Sequence, residues 1–156
     1  MSNESVAISR ISYERGTMAI ATRDKTPGQL FALVFGAVYL LIGLLGFAVT
    51  GFDNFFNSSA NEVLIAFPVN PAHNIVHLLI GGVWLAGSRT VAGAKLANMG
   101  VGVAYLAFFL LGLVGALQWL SIESGLNADQ FLHLVSGGLG VYFGTAGATA
   151  RRPVTA

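Results

Sequence analysis

Residues 30–52 read LFALVFGAVYLLIGLLGFAVTGF, an unbroken run without a charged side chain. As a helix rising ~1.5 Å per residue, it covers the ~30 Å hydrocarbon core of a bilayer. It is too long for a signal-peptide core and no small-residue cleavage site follows it, so it is expected to stay in the mature protein. Three further stretches share its character, giving spans at about 29–51, 71–88, 96–120 and 128–150. Backbone polar groups in lipid must be satisfied within the segment, so all four are read as helices. The runs are also too long for strands and lack period-two alternation.

The rest of the chain agrees with a membrane setting. It is 54% hydrophobic and 10% charged, where soluble domains carry ~25% charged residues. All eight Lys and Arg residues, namely Arg10, Arg15, Arg23, Lys25, Arg89, Lys95, Arg151 and Arg152, fall in segments that four spans place on one side. The other side receives only Asp53, Glu62, Glu123 and Asp129. Basic residues near span ends mark the cytoplasmic face. The expected protein is therefore an all-α, multi-pass protein of the cytoplasmic membrane with both termini in the cytoplasm. Residues 1–26 are expected to be a disordered cytoplasmic tail, 27–150 the transmembrane domain and 151–156 a second cytoplasmic tail. Met18 is an alternative start to Met1, because residues 2–17 show no apolar periodicity.

Several function classes are set aside by composition. There is no cysteine, hence no disulfide and no thiolate metal site. No basic block suggests nucleic acid. No Asp, Glu, Lys or Arg lies inside a span, as ion-coupled transport would ask. No phosphate-cradling loop or nucleophile–base arrangement can be read from spacing, so no enzyme is expected. Residues 52–69, the longest connection, mix Phe and Leu with Asn, Ser and acids, which suits the membrane interface. The sequon Asn57-Ser58-Ser59 within it reads as a polar turn.

The chain is duplicated. Gly36-Ala37-Val38-Tyr39-Leu40 in the first span matches Gly102-Val103-Ala104-Tyr105-Leu106 in the third. His77-Leu78-Leu79-Ile80-Gly81-Gly82 in the second matches His133-Leu134-Val135-Ser136-Gly137-Gly138 in the fourth. Each unit has two spans, so both enter the membrane in the same direction: two tandem helical hairpins in a parallel repeat. Repeat mates then lie at equal depth, and His77 and His133 approach each other if the second and fourth helices meet at the axis. Small residues let helices approach closely in lipid. Gly81, Gly82, Trp84, Gly137, Gly138, Gly140 and Gly144 are the expected packing residues, with the Trp84 indole filling a recess at its mate, Gly140.

Residues 67–79, FPVNPAHNIVHLL, and 127–134, NADQFLHL, resemble the two signatures of a family of small bacterial four-helix membrane proteins, domain of unknown function 4383. The resemblance covers about 29–149 and implies the four-helix fold. It implies no activity. Gln130 stands where the family pattern expects Asn, a change that keeps a side-chain amide.

Candidate chemistry gathers on the second and fourth spans. His73 and His77 share a face at i and i+4, as do Asp129 and His133. Together they form a candidate ligand set for zinc or another divalent transition metal. A haem between His77 and His133 is the weaker version of this idea. The competing and favoured reading is a structural polar cluster, with Asn70, Asn74, Asn127 and Gln130 capping helices or bonding across them. Tyr39 and Tyr105 form a buried hydroxyl pair that needs partners, with no ionisable group expected at their depth. The reading overall is a structural or accessory membrane protein, without cofactor, packing with itself or a larger complex in the bilayer. Its alternative is a metal-binding or pH-responsive protein using the outer His/Asp cluster.

Overall fold

A computed structural model describes residues 25–58 and 62–148. Both tails apart from Lys25 and Thr26, including Met18, Arg151 and Arg152, lie outside the described residues, as does Ser59 of the sequon. The chain forms four helices, α1 (Pro27–Thr50), α2 (Pro71–Gly87), α3 (Val91–Leu113) and α4 (Ala128–Gly144). Two of them, α1 and α3, are long and apolar enough to cross a membrane.

Each helix starts on a side-chain cap. Thr26 accepts from the backbone N–H of Gln29, whose side chain returns a bond to Thr26 N–H, and Pro27 follows at the first helical position. This reciprocal arrangement satisfies two donors that the first turn would leave bare. Asn70, Thr90 and Asn127 cap α2, α3 and α4 in the same way, through the N–H groups of His73, Gly93 and Gln130.

The third helix sits differently from the apolar run that announced it. It begins at Val91 and stops at Leu113, where 96–120 was expected. The stop is a Schellman motif: Ala116 N–H reaches the carbonyl of Leu111 and Gly115 N–H that of Gly112. Gly115 supplies the left-handed turn at φ 76°, a conformation open to glycine. A 3₁₀ turn, Gln118–Leu120, completes the connection. The fourth helix likewise ends early, at Gly144, followed by a 3₁₀ turn at Ala146–Ala148. The first connection contains a small antiparallel hairpin, β1 (Val63–Leu64) with β2 (Phe67–Pro68). Its turn places Ile65 at φ 63°, where glycine is usual.

α1 pairs with α2 and α3 with α4, and the two hairpins pack side by side. The close approach within each hairpin rests on glycine at repeat-related positions. A Cβ added to Gly36 would lie 2.8 Å from Leu85 N and 3.0 Å from Gly81 O. At Gly102 it would lie 2.6 Å from Val141 N and 3.0 Å from Gly137 O. The duplicated sequence is thus a duplicated crossing. The expected fit of Trp84 into Gly140 does not occur. Gly140 lies against Gly102, whose Cα would be 2.7 Å from an added Cβ, and Trp84 instead packs among Phe31, Phe35, Tyr39 and Tyr105. Gly144 packs on the Met99 backbone, while Gly82 and Gly138 have nothing among the described residues within reach of an added Cβ. Helix periodicity explains that split: adjacent glycines point ~100° apart, so only the first of each pair can face its partner helix.

Contrary to the expectation that α2 and α4 meet at the axis, α1 lies closer to α3 than α2 does to α4. The inward faces of α2 and α4 carry His77, Trp84, Gln130 and His133, and side chains of that size hold the two backbones apart.

Apolar side chains face outward on every helix, while polar ones share the interior with an aromatic core. Leu30, Val34, Leu41 and Leu44 on α1, Leu79 and Val83 on α2, Leu96, Val103 and Leu110 on α3, and Phe131, Leu134 and Leu139 on α4 are exposed. Asn70, His73, Asn74, His77, Asn98, Asp129, Gln130, His133 and Ser136 are buried.

Candidate functional site

The buried polar residues share one interior. The caps at Asn70 and Asn127 set the phase of α2 and α4, and the next inward-facing positions carry the functional groups. On α2 these are His73, Asn74 and His77; on α4 they are Asp129, Gln130, His133 and Ser136. His73 and His77 touch, with ring centroids 4.5 Å apart. His77 then meets Tyr39 of α1 at 5.4 Å, and His133 meets Tyr105 of α3 at 5.3 Å. The two tyrosines face one another across the hairpin boundary at 5.6 Å. The Tyr39 hydroxyl shares a 2.9 Å hydrogen bond with Ser136 Oγ of α4. A continuous row, His73–His77–Tyr39–Tyr105–His133, therefore crosses the centre of the bundle.

This row corrects the expectation that nothing ionisable stands level with the tyrosines. His77 and His133 lie about one and a half turns into their helices and reach the middle of the bundle. Only His73 sits at the end, against the backbone carbonyls of Pro68 and Leu120 from the two connections.

The candidate ligand set is not drawn into one place. Among the described residues, no three His, Asp or Glu side chains are positioned to hold a metal ion. Asp129 lies in the first turn of α4 near Glu123, where the helix dipole favours a negative charge.

The side-chain amides occupy notches that the duplication made twice. Asn74 rests on Gly46 and Gln130 on Gly112, each so closely that a Cβ at the glycine would overlap the amide. Asn74 Nδ2 donates to Thr50 Oγ1 at 2.9 Å. The position equivalent to Thr50 is Ala116, and the amide of Gln130 finds no hydrogen-bond partner among the described residues.

Asn70 ties the ends together. Besides capping α2, its Nδ2 donates to the carbonyls of Asn57 (3.0 Å) and Trp119 (2.9 Å), and Ser121 Oγ donates to the same Asn57 carbonyl (2.6 Å). Asn70→Ala is expected to cost about 2 kcal/mol through the lost cap and bonds. Limited proteolysis should show faster cleavage in both connections with helix content unchanged.

Three polar residues outside the sequence-based set complete the interior. Ser136 is the partner of Tyr39, and its signal was its place one turn from His133. At the opposite end, Asn98 Nδ2 donates to the carbonyls of Gly28 (2.9 Å) and Phe143 (3.4 Å), and Gln29 Nε2 to that of Ser88 (3.0 Å). A lone amide within the apolar third span was the signal for Asn98.

A family model described as a domain of unknown function (DUF4383) matches residues 29–146. No curated protein and no solved structure matches the chain.

Proposed function

Because the chain belongs to the DUF4383 family, a membership that brings no activity with it, we propose a role from the geometry: a four-span protein of the cytoplasmic membrane with both termini inside, serving as a structural or accessory component. The observation that carries this reading is the outward apolar face on every helix, with the polar side chains of the helices gathered inside beside an aromatic core. Lipid is the solvent that rewards such an arrangement.

At 17 residues each, α2 and α4 span about 25 Å, a mismatch that modest local thinning of the bilayer absorbs. Lys25, Arg89 and Lys95 lie at the end held by the Gln29–Ser88 and Asn98–Gly28 bonds. Asp53, Glu62 and Glu123 belong to the opposite connections, which supports the cytoplasmic assignment of the basic end. The exposed apolar faces suit packing with further copies or a larger membrane complex.

Single cysteines test the topology cleanly, because the chain has none of its own. In intact cells, Ser124→Cys should react with a membrane-impermeant maleimide, and Arg89→Cys only after permeabilisation. The reverse pattern, or protection of both, would refute the topology. The accessory role predicts a defined assembly larger than one copy after in-membrane crosslinking; a lone monomer would count against it. The metal reading is the lesser one, since no three candidate ligands converge among the described residues. Stoichiometric metal that disappears in His77→Ala with His133→Ala would restore it.

A further inference from the structure

The centre of the bundle holds polar atoms that have no partner among the described residues. They are Nδ1 of His77, Nδ1 of His133, Nε1 of Trp84, and both Nε2 and Oε1 of Gln130. These four side chains are 5% exposed or less. Three of them surround the tyrosine pair: Trp84 lies 5.3 Å from Tyr39 and 6.1 Å from Tyr105, the same rings that contact His77 and His133. Gln130 is one turn from His133 on the same face of α4.

Buried polar atoms left bare are costly, and native proteins pair nearly all of them. What could pair these is constrained by chemistry. The Trp84 indole can only donate and Gln130 Oε1 can only accept, while an imidazole nitrogen does either according to tautomer. Gln130 alone, with a bare Nε2 donor and a bare Oε1 acceptor, therefore asks for a partner that both accepts and donates. A bare ion cannot do both. Water does both, and buried water typically makes about three such bonds.

The surroundings give this region a direction. Toward the connections the polar lining continues through Asn74, whose Oδ1 is also unpaired, and His73, which reaches the carbonyls of Pro68 and Leu120. Toward the basic end it stops. Phe31 stacks on Phe35 at 4.1 Å and on Phe143 at 4.6 Å, and meets Trp84 edge-on at 5.8 Å. Asn98 lies beyond these rings, its Nδ2 bonded to the carbonyls of Gly28 and Phe143 and its Oδ1 unpaired, separated from the tyrosines by the aromatic stack.

We propose that the bundle contains a binding site for internal water, lined by His77, Trp84, Gln130 and His133, continued toward the connections by the buried polar groups of Asn74 and His73 and closed at the other end by Phe31, Phe35 and Phe143. On the four-span topology this polar lining begins near the outer face and ends at mid-membrane. The hydration itself does not depend on which face is outer.

Millisecond X-ray radiolysis of the full-length protein in nanodiscs, read by mass spectrometry, tests it. Hydroxyl radicals formed from bound water oxidise the side chains that water touches. His73, His77, Trp84 and His133 should be modified at rates approaching that of the exposed Trp119, with Phe31 unmodified. A cluster as silent as Phe31 would overturn the proposal. Modification of Phe31 at the same rate would overturn the closed end. Release of a stoichiometric organic molecule in native mass spectrometry would replace water with another ligand. Reversed cysteine labelling with a positive footprint would refute the topology and leave the water site standing.

Discussion

Gly102→Ala should destabilise the protein by about 2 kcal/mol or more, while Gly138→Ala leaves it unchanged or slightly more stable. The Cβ added at Gly102 would lie 2.6 Å from Val141 N and 2.8 Å from the Gly140 carbonyl carbon. Those are backbone atoms of α4 and cannot rotate aside, so the helices must separate and lose contact along their length. Gly138 has nothing within reach of an added Cβ, and alanine there gains helix propensity of up to about 1 kcal/mol. Gly36→Ala and Gly82→Ala should repeat the contrast in the first hairpin. Reversible unfolding in mixed micelles measures all four. Equal effects from Gly102 and Gly138 would mean that the crossing is not where the stability resides.

Trp84→Ala should cost about 3–5 kcal/mol, within the range for removing a fully buried aromatic side chain. The indole is wholly buried and touches rings from both hairpins: Phe31, Phe35 and Tyr39 on α1 and Tyr105 on α3. Its removal opens a void at the hairpin boundary. The loss should therefore appear as separation of the halves before either half unfolds. Trp84→Phe should cost much less, because it keeps most of the ring contact. If Trp84→Phe proves as damaging as Trp84→Ala, the indole N–H matters more than the packing. Thermal unfolding of both variants, followed with a crosslink-sensitive probe across α1 and α3, separates these outcomes.

How much of this was readable from sequence depends on the scale of the feature. Uncharged runs located four helices, and the HLxxGG repeat located two equivalent hairpins, because both signals repeat over many residues. Helix ends were less legible. The apolar run of α3 continues past Leu113, but a single glycine, Gly115, in a left-handed conformation ends the helix. Residue identity also did not reveal that Gly81 packs while Gly82 does not, although helical phase could have done so. The interior was half visible. His73, His77, Asp129 and His133 stood out as ionisable groups, yet their depth and partners came from tertiary packing. Tyr39 meets Ser136 across 97 positions of chain, a pairing that no local pattern encodes. The short β1–β2 hairpin was hidden for a similar reason, since two residues per strand carry no periodicity.

The duplication is broken at one place of consequence. Trp84 and Gly140 hold equivalent positions, yet one is the largest side chain available and the other has none. Two copies of the first half would bring two indoles to the same centre, and two copies of the second would leave it empty. The two halves are therefore complementary rather than alike at their shared centre, so separately expressed halves should seek each other rather than themselves.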